Sequence, residues 1–172
     1  MSDFLVCGLQ RGLLLSAVAM ALTGPAMAQA PKAPANPAAT ETRSTHDDWV
    51  VRCAGAAGCE AVQSLETKDG KGTLAHVAVR PEKDLVRLVV QVPPGVWLPA
   101  GVVLRAGGKD LTLSYKRCGQ TCIASTELPT AEAKAMAEVP GAELVFENGS
   151  RQPFVLPISF KGLPAAFAAA AK

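Results

Sequence analysis

Cysteines are the residues of this 172-residue chain whose type and spacing most clearly indicate chemistry. Cys53 and Cys59 enclose a short loop that contains glycine, and so do Cys118 and Cys122. Glycine gives such loops the freedom to bring two Cα atoms close to the ~4.4–6.8 Å that is usual for a disulfide. Of the three connectivities that four cysteines allow, we therefore predict the two local disulfides, Cys53–Cys59 and Cys118–Cys122.

Two other kinds of cysteine chemistry compete with this prediction. A zinc site built from the four cysteines is disfavoured, because an oxidising compartment does not preserve free thiols. A redox-active pair is disfavoured because Cys118 and Cys122 have three residues between them, whereas the thioredoxin-like motif has two. We expect no metal site and no cofactor.

Catalytic motifs are harder to find. The two histidines, His46 and His76, lie at the edge of a Pro/Ala-rich segment and in the middle of a predicted strand. Asp47 and Asp48 resemble a carboxylate pair, but adjacent residues of a strand point to opposite faces. Nucleophile-elbow, zinc-protease, P-loop and dinucleotide motifs do not occur. We therefore predict no catalytic residues.

Trp49, Trp97 and Tyr115 are candidate core or binding aromatics. Trp97 lies in the segment VPPGVWLPAGVVL, where Pro93 and Pro94 lack the backbone N–H of a central strand and should end it at Val92. We predict that Trp97 packs in the core beside this bend, with a turn carbonyl accepting from its indole. The alternative is an exposed Trp97 that contacts a partner.

The N-terminal residues 1–28 have the pattern of a secretory signal peptide. Arg11 precedes the apolar run Leu13–Leu22, and Ala26-Met27-Ala28 matches a small-residue cleavage site. The apolar run is shorter than the ~20 residues that span a bilayer. Cleavage after Ala28 would leave no transmembrane segment, and secretion through the inner membrane is expected.

Residues 29–46 are rich in proline and alanine and are predicted to be a disordered tether. One domain, residues 47–172, is expected to follow, since that length suits a single hydrophobic core. The formal net charge of the chain is +2, too small to indicate binding to nucleic acid or to an anionic membrane surface.

The pattern of short apolar runs and turns predicts an all-β, β-sandwich-like single domain with one or two short helices near the C-terminus. Asp69-Gly70 and Asn148-Gly149 are strong hairpin signals. The helices are predicted at Thr130–Glu138, capped by Thr130, and at Leu163–Ala170.

Several segments resemble the invasion-associated locus B family of bacterial envelope proteins. They are Asp48-Trp49 followed by Cys53, Cys59 and Gln63, then VPPGVWLPAGVVL, CGQTCIA at 118–124, and the ending ISFKGLPAAFAAA. The resemblance spans residues 47–170. It implies a β-rich protein that is periplasmic or secreted, or associated with the outer membrane. It also implies a link to host-cell invasion in pathogenic members, and it supplies no catalytic residues.

Three functional hypotheses follow. We favour a non-enzymatic envelope protein that binds an unknown envelope or host protein. The first alternative is a periplasmic chaperone or assembly factor with an exposed sheet edge. The second alternative is an enzyme whose site is assembled from scattered residues. The sequence does not indicate an oligomeric state.

Overall fold

The computed structural model of the chain describes residues 41–172. The predicted signal peptide and residues 29–40 of the predicted tether lie outside this range. Within it the chain forms mostly β-strands, two short helices and two 3-10 turns, at Gly55–Ala57 and Leu98–Ala100. The strands and helices are β1 (Glu41–His46), β2 (Trp49–Ala54), β3 (Cys59–Glu66), β4 (Thr73–Pro81), β5 (Leu85–Val92), β6 (Val102–Ala106), β7 (Lys109–Cys118), β8 (Cys122–Pro129), α1 (Thr130–Ala137), β9 (Gly141–Glu147), β10 (Pro153–Ser159) and α2 (Leu163–Ala170).

The ten strands form one antiparallel sheet in the order β1-β2-β3-β4-β5-β8-β7-β6-β9-β10. Strand β7 connects its two parts, since residues 109–113 pair with β6 and residues 114–118 pair with β8. The sheet curls at this strand, so that side chains from both parts enter one hydrophobic core. The predicted all-β, sandwich-like single domain with one or two short helices near the C-terminus is confirmed, and the helices are two.

Alternation along the strands decides which side chains enter the core. In β5, Val86, Leu88, Val90 and Val92 are buried, while the residues between them are partly exposed. β-Branched side chains at every second position suit a pleated surface with one buried face. The strand ends at Val92, as Pro93 and Pro94 predicted.

The sheet begins earlier than the sequence predicted. Residues 41–46, assigned to the tether, form β1 and pair along their whole length with β2. Asp47 and Asp48 are not strand residues but the two-residue turn between these strands, and Asp47 adopts a left-handed φ of 49°. Aspartate tolerates this conformation, and an edge strand with both faces in water needs no apolar residue. Because this segment is polar, its sequence carries no sign that it forms a strand.

The helices match their predicted positions, but the predicted cap is wrong. Thr130 is the first residue of α1, after Pro129, and its side chain makes no capping hydrogen bond. The Thr130 hydroxyl is instead buried without a partner among the described residues. Helix α2 buries Leu163, Ala166 and Ala170. Neither helix is long enough to cross a membrane.

Candidate functional site

Two places in the structure contain segments that carry the family resemblance, and the first surrounds the backbone carbonyl of Ser159. The indole Nε1 of Trp49 donates to this oxygen at 2.9 Å, and Nε2 of Gln63 donates to it at 3.1 Å. Nε2 of Gln63 also donates to the carbonyl of Asp48 at 3.2 Å. Trp49 is fully buried and Gln63 is 5% exposed. These bonds join β2 and β3 to the end of β10, and we call the arrangement the Ser159 junction.

Gly162 extends this junction to the start of α2. It has a φ of +85°, and a Cβ at this position would overlap the carbonyl of His46. Next to it, Nζ of Lys161 pairs with the carboxylate of Asp47 at 3.3 Å. The C-terminal segment therefore lies directly against the β1–β2 turn. The role of this junction is structural, since its indole and side-chain amide N–H groups hold backbone segments together. Oε1 of Gln63 is buried without a hydrogen-bond partner among the described residues.

The second place is formed by two loops, residues 93–101 and 148–152, which we call the loop corner. The backbone N–H of Trp97 donates to the carbonyl of Glu147 at 2.8 Å, and that of Gly149 donates to Gly95 at 2.7 Å. Val96 forms an isolated bridge with Asn148. The Asn148 side chain accepts from the backbone N–H groups of Ser150 and Gln152, both at 2.9 Å. Asn148-Gly149 is thus a turn, as predicted, and it fixes the neighbouring loop.

Trp97 does not anchor the core, and this prediction is wrong. It is only partly buried, and its neighbour Val96 is the residue of this loop that packs against the core. The reason is the loop's pairing with residues 148–152, which turns the Trp97 ring toward Arg151. The guanidinium carbon of Arg151 lies 4.5 Å from the ring centroid, a cation–π geometry. The fully buried tryptophan is Trp49.

Two observations mark the loop corner as a surface feature of interest. Leu98, next to Trp97, is 52% exposed, the highest value among the large exposed apolar side chains of residues 41–172. Arg151 has a φ of 60°, which is uncommon for a residue with a side chain. Residues held in such conformations cluster at functional sites. In the sequence, the only feature that could have drawn attention to Arg151 is its position just after Asn148-Gly149.

A cleft of about 250 Å³ lies between this corner and strand β7. Residues 98–101 form one side of it. The exposed Lys116 and Arg117 contribute to the other side, together with Thr112, Ser114, Tyr115 and Cys118. Gly101 is needed at this contact, because its φ is +69° and a Cβ would come within 2.7 Å of the Leu113 carbonyl. Cationic and apolar groups therefore share one rigid surface.

Tyr115 also contributes to this cleft, but its hydroxyl group does not reach solvent. The hydroxyl is buried and has no hydrogen-bond partner among residues 41–172. Burial disfavours the charged phenolate and raises the pKa of Tyr115 to about 12. Tyr115 packs against the core with the rest of its ring. Of the three candidate aromatics, Trp49 and Tyr115 thus contribute to the core, and Trp97 belongs to the surface.

The cysteines pair as the loop lengths predicted. The Cys53–Cys59 disulfide connects β2 with β3, and the Cys118–Cys122 disulfide connects β7 with β8. Each joins two directly opposed residues, with Cα atoms 4.0 Å apart. Both disulfides therefore link the ends of neighbouring strands, and the second lies beside the cleft. Among the described residues, no three His, Cys, Asp or Glu side chains form a potential metal site.

The histidines are not brought together. Nδ1 of His76 lies 2.9 Å from Oγ of Ser64 on the neighbouring strand, and Nε2 of His46 lies 3.1 Å from Oγ of Ser44. A Ser–His pair could serve as a nucleophile and base only if a third group oriented the imidazole. Within residues 41–172, no hydrogen bond joins His76 to a carboxylate. Ser64 and His76 form a cross-strand pair that supports the sheet.

Comparisons with known proteins agree with this architecture. The family model described as "Invasion associated locus B (IalB) protein" matches residues 49–171. A crystal structure of invasion associated protein B from Bartonella henselae superposes with a TM-score of 0.67 at 16% sequence identity. The match covers 75% of this chain and 95% of that one. Among curated proteins, none matches the chain.

Proposed function

Because the chain belongs to the invasion-associated locus B family, we propose that it is a non-enzymatic binding protein that acts outside the cytoplasm. This is not a known enzyme family. Two disulfides support an oxidising compartment, where such bonds form and persist. With the signal peptide predicted at residues 1–28, the compartment is the periplasm or the cell exterior. The proposed binding includes two more specific possibilities, that the protein associates with the outer membrane and that it contacts a host cell.

The observation that carries this proposal is the rigid, exposed loop corner. Leu98 is 52% exposed beside a tryptophan that is itself covered on one side by Arg151. Backbone hydrogen bonds between the two loops fix this arrangement before any partner arrives. Tryptophan and arginine are enriched among the residues that dominate binding energy, and a preformed surface avoids the entropic cost of ordering a loop.

The charges around the corner indicate the chemistry of the partner. Lys116 and Arg117 lie across the cleft from Leu98, and Arg151 lies over Trp97. An apolar centre with a cationic rim complements a protein surface that has an apolar pocket and an acidic border. We propose such a protein as the ligand.

A second candidate function is supported by the edges of the sheet. Strand β1 is exposed along its length, contains no proline, and pairs only with β2 among the described residues. The opposite edge, β10, contains Pro153 and Pro157. Proline blocks edge pairing, whereas a bare edge can accept a strand from another chain. A chaperone or assembly factor would use β1 in this way.

Affinity capture with the full chain distinguishes these functions. Leu98→Asp and Leu85→Asp each place a charge at an exposed leucine, and Leu85 is 39% exposed outside the loop corner. We expect the partner captured by the parent to be lost with Leu98→Asp and retained with Leu85→Asp. Equal capture by both variants would refute the loop corner as the binding surface.

A proline in β1 tests the second candidate in the same assay. Thr45→Pro, checked for an unchanged unfolding temperature, would remove the partner only if the partner adds a strand to this edge. Under the favoured proposal this variant captures as much partner as the parent.

A further inference from the structure

We infer that the groove between α1 and α2 binds a long-chain fatty acid, with the alkyl chain in the groove and the carboxylate beside Lys134. The groove shares no lining residue with the loop corner. The inference therefore goes beyond the proposed function and is independent of it.

The groove has the size and lining of a small-molecule site. Its volume is about 430 Å³, within the range of roughly 300–1,000 Å³ that is typical of ligand pockets. Two of its lining residues are charged, and the others are apolar, which also fits such a site. The apolar lining consists of Val79, Ala133, Ala137, Leu163, Pro164, Phe167, Ala168 and Ala171.

Small side chains keep the groove open. Helix α1 presents Ala133 and Ala137 to it and has no fully buried residue. Helix α2 consists of apolar residues on all sides, yet Ala168 faces the groove and is exposed. A helix that is apolar all round is normally covered. The space between these helices is therefore an apolar surface that side chains of residues 41–172 do not fill.

The floor of the groove leads toward the core. A small internal cavity of about 40 Å³ shares Val79, Ala133, Ala137 and Leu163 with the groove. This cavity continues between the two parts of the sheet, where its lining includes Trp49 and other core side chains.

This depth favours an alkyl chain over a peptide. A polypeptide segment that entered the groove would bury backbone N–H and C=O groups among apolar side chains, where they would lack partners. An unbranched hydrocarbon chain carries no such groups and gains free energy in proportion to the apolar area that leaves water. Its narrow, flexible end can also point toward the smaller cavity that Trp49 lines.

Charged residues at the rim of the groove determine which head group is favoured and where it lies. Lys134 lies on α1, and Glu138 is the residue that caps its C-terminal end, about one turn further on. Both line the groove and are exposed. A carboxylate is attracted by the Lys134 ammonium and repelled by Glu138, so the head group should lie at the Lys134 end. The flexible lysine side chain can reach it without leaving water.

Calorimetric titration of the full chain with palmitate tests the inference. Ala168→Phe fills the groove, whereas Ala165→Phe makes the same change at an exposed position of α2 that does not line it. Because overfilling a site is costly, we expect palmitate affinity to fall at least about tenfold in Ala168→Phe and to stay unchanged in Ala165→Phe. Ala133→Leu and Ala135→Leu give the same comparison on α1. Absence of palmitate binding to the parent, or equal effects within both pairs, would overturn the inference.

The head group is tested with Lys134→Gln. This variant should lower palmitate affinity by about threefold, as for an exposed ion pair, and leave the affinity for hexadecanol unchanged. An equal loss for both ligands would refute the role of Lys134. Binding to phospholipid vesicles without binding to free palmitate would refute the fatty acid as the ligand.

Tryptophan fluorescence tests the depth of the chain. Trp97→Phe leaves Trp49 as the single tryptophan, since the sequence contains two. Palmitate brominated at its methyl end should quench Trp49, and palmitate brominated next to the carboxylate should not. Quenching by the second probe alone, or by neither, would contradict an alkyl chain that points toward the core.

Discussion

Trp49 and Gln63 share one acceptor, because both side chains donate a hydrogen bond to the backbone carbonyl of Ser159. The two donors come from neighbouring strands near the start of the sheet, and the acceptor is the last residue of the final strand. A contact between residues 110 positions apart thus holds the C-terminal segment on the first strands. The Ser159 junction therefore brings Trp49 and Gln63 together with the segment ISFKGLP, which contains Ser159.

Gln63→Met should destabilise the fold by about 1 kcal/mol, since it retains most of the side-chain volume but removes the two hydrogen bonds that Gln63 donates. Trp49 remains as a donor to the Ser159 carbonyl. Gln91→Met is the matched control, because Gln91 is partly exposed on β5 and takes no part in the junction. Denaturant unfolding of both variants gives the comparison. Equal stabilities for the two variants would show that the Gln63 hydrogen bonds contribute nothing to stability.

Gly162→Ala should be more destabilising than Gly95→Ala, although the two glycines have nearly the same φ, +85° and +86°. Both variants should lose about 1–2 kcal/mol for a left-handed alanine. Gly162→Ala should lose about 1–3 kcal/mol more, because its Cβ would press on the His46 carbonyl, whereas Gly95 has open space. Thermal unfolding checks this order, and an equal shift in both variants would exclude close packing at Gly162.

Tyr115 should titrate with a midpoint near pH 12, above its usual value of 10.0, because its hydroxyl is buried. The chain has one tyrosine, so phenolate absorbance reports this group alone. Below pH 10 the group is protonated in both the folded and the unfolded states. Between about pH 10 and 12 only the unfolded state releases the proton, so stability should fall over this range as pH rises.

Tyr115→Phe is the control for this titration. The variant should lose the pH dependence, and it should be more stable than the parent by about 1 kcal/mol, since it removes a buried hydroxyl that has no partner among residues 41–172. A phenol that titrates at pH 10 in the folded protein, or a less stable Phe variant, would contradict the buried, unpartnered hydroxyl.

The sequence predicted those parts of the fold that depend on local patterns. Alternating valines identify β5, the proline pair ends it, and the short cysteine loops give the disulfide pairing. Strand β1 was not predicted, because an exposed edge strand lacks the alternation of apolar and polar residues that identifies a strand. In addition, Asp47-Asp48 was interpreted as the start of the domain and not as a turn. Trp97 was wrongly placed in the core because its position depends on Arg151, which is far away in sequence. Long-range partners of this kind leave no local signal.

The disulfides give a chemical prediction. In the protein isolated from cells without reductant and then denatured, a maleimide should label none of Cys53, Cys59, Cys118 and Cys122. The same protein reduced first should show all four labelled, which controls for access. Labelling of any of these residues before reduction would contradict the proposed oxidising compartment.

We propose that the loop corner is the surface through which this protein binds its partner. Site-specific photo-crosslinking in cells that naturally produce the chain tests this claim. A photoreactive amino acid at position 98 should give a crosslinked complex of defined mass, and the same group at position 85 should give none. Crosslinks from position 85 with none from position 98 would contradict the claim.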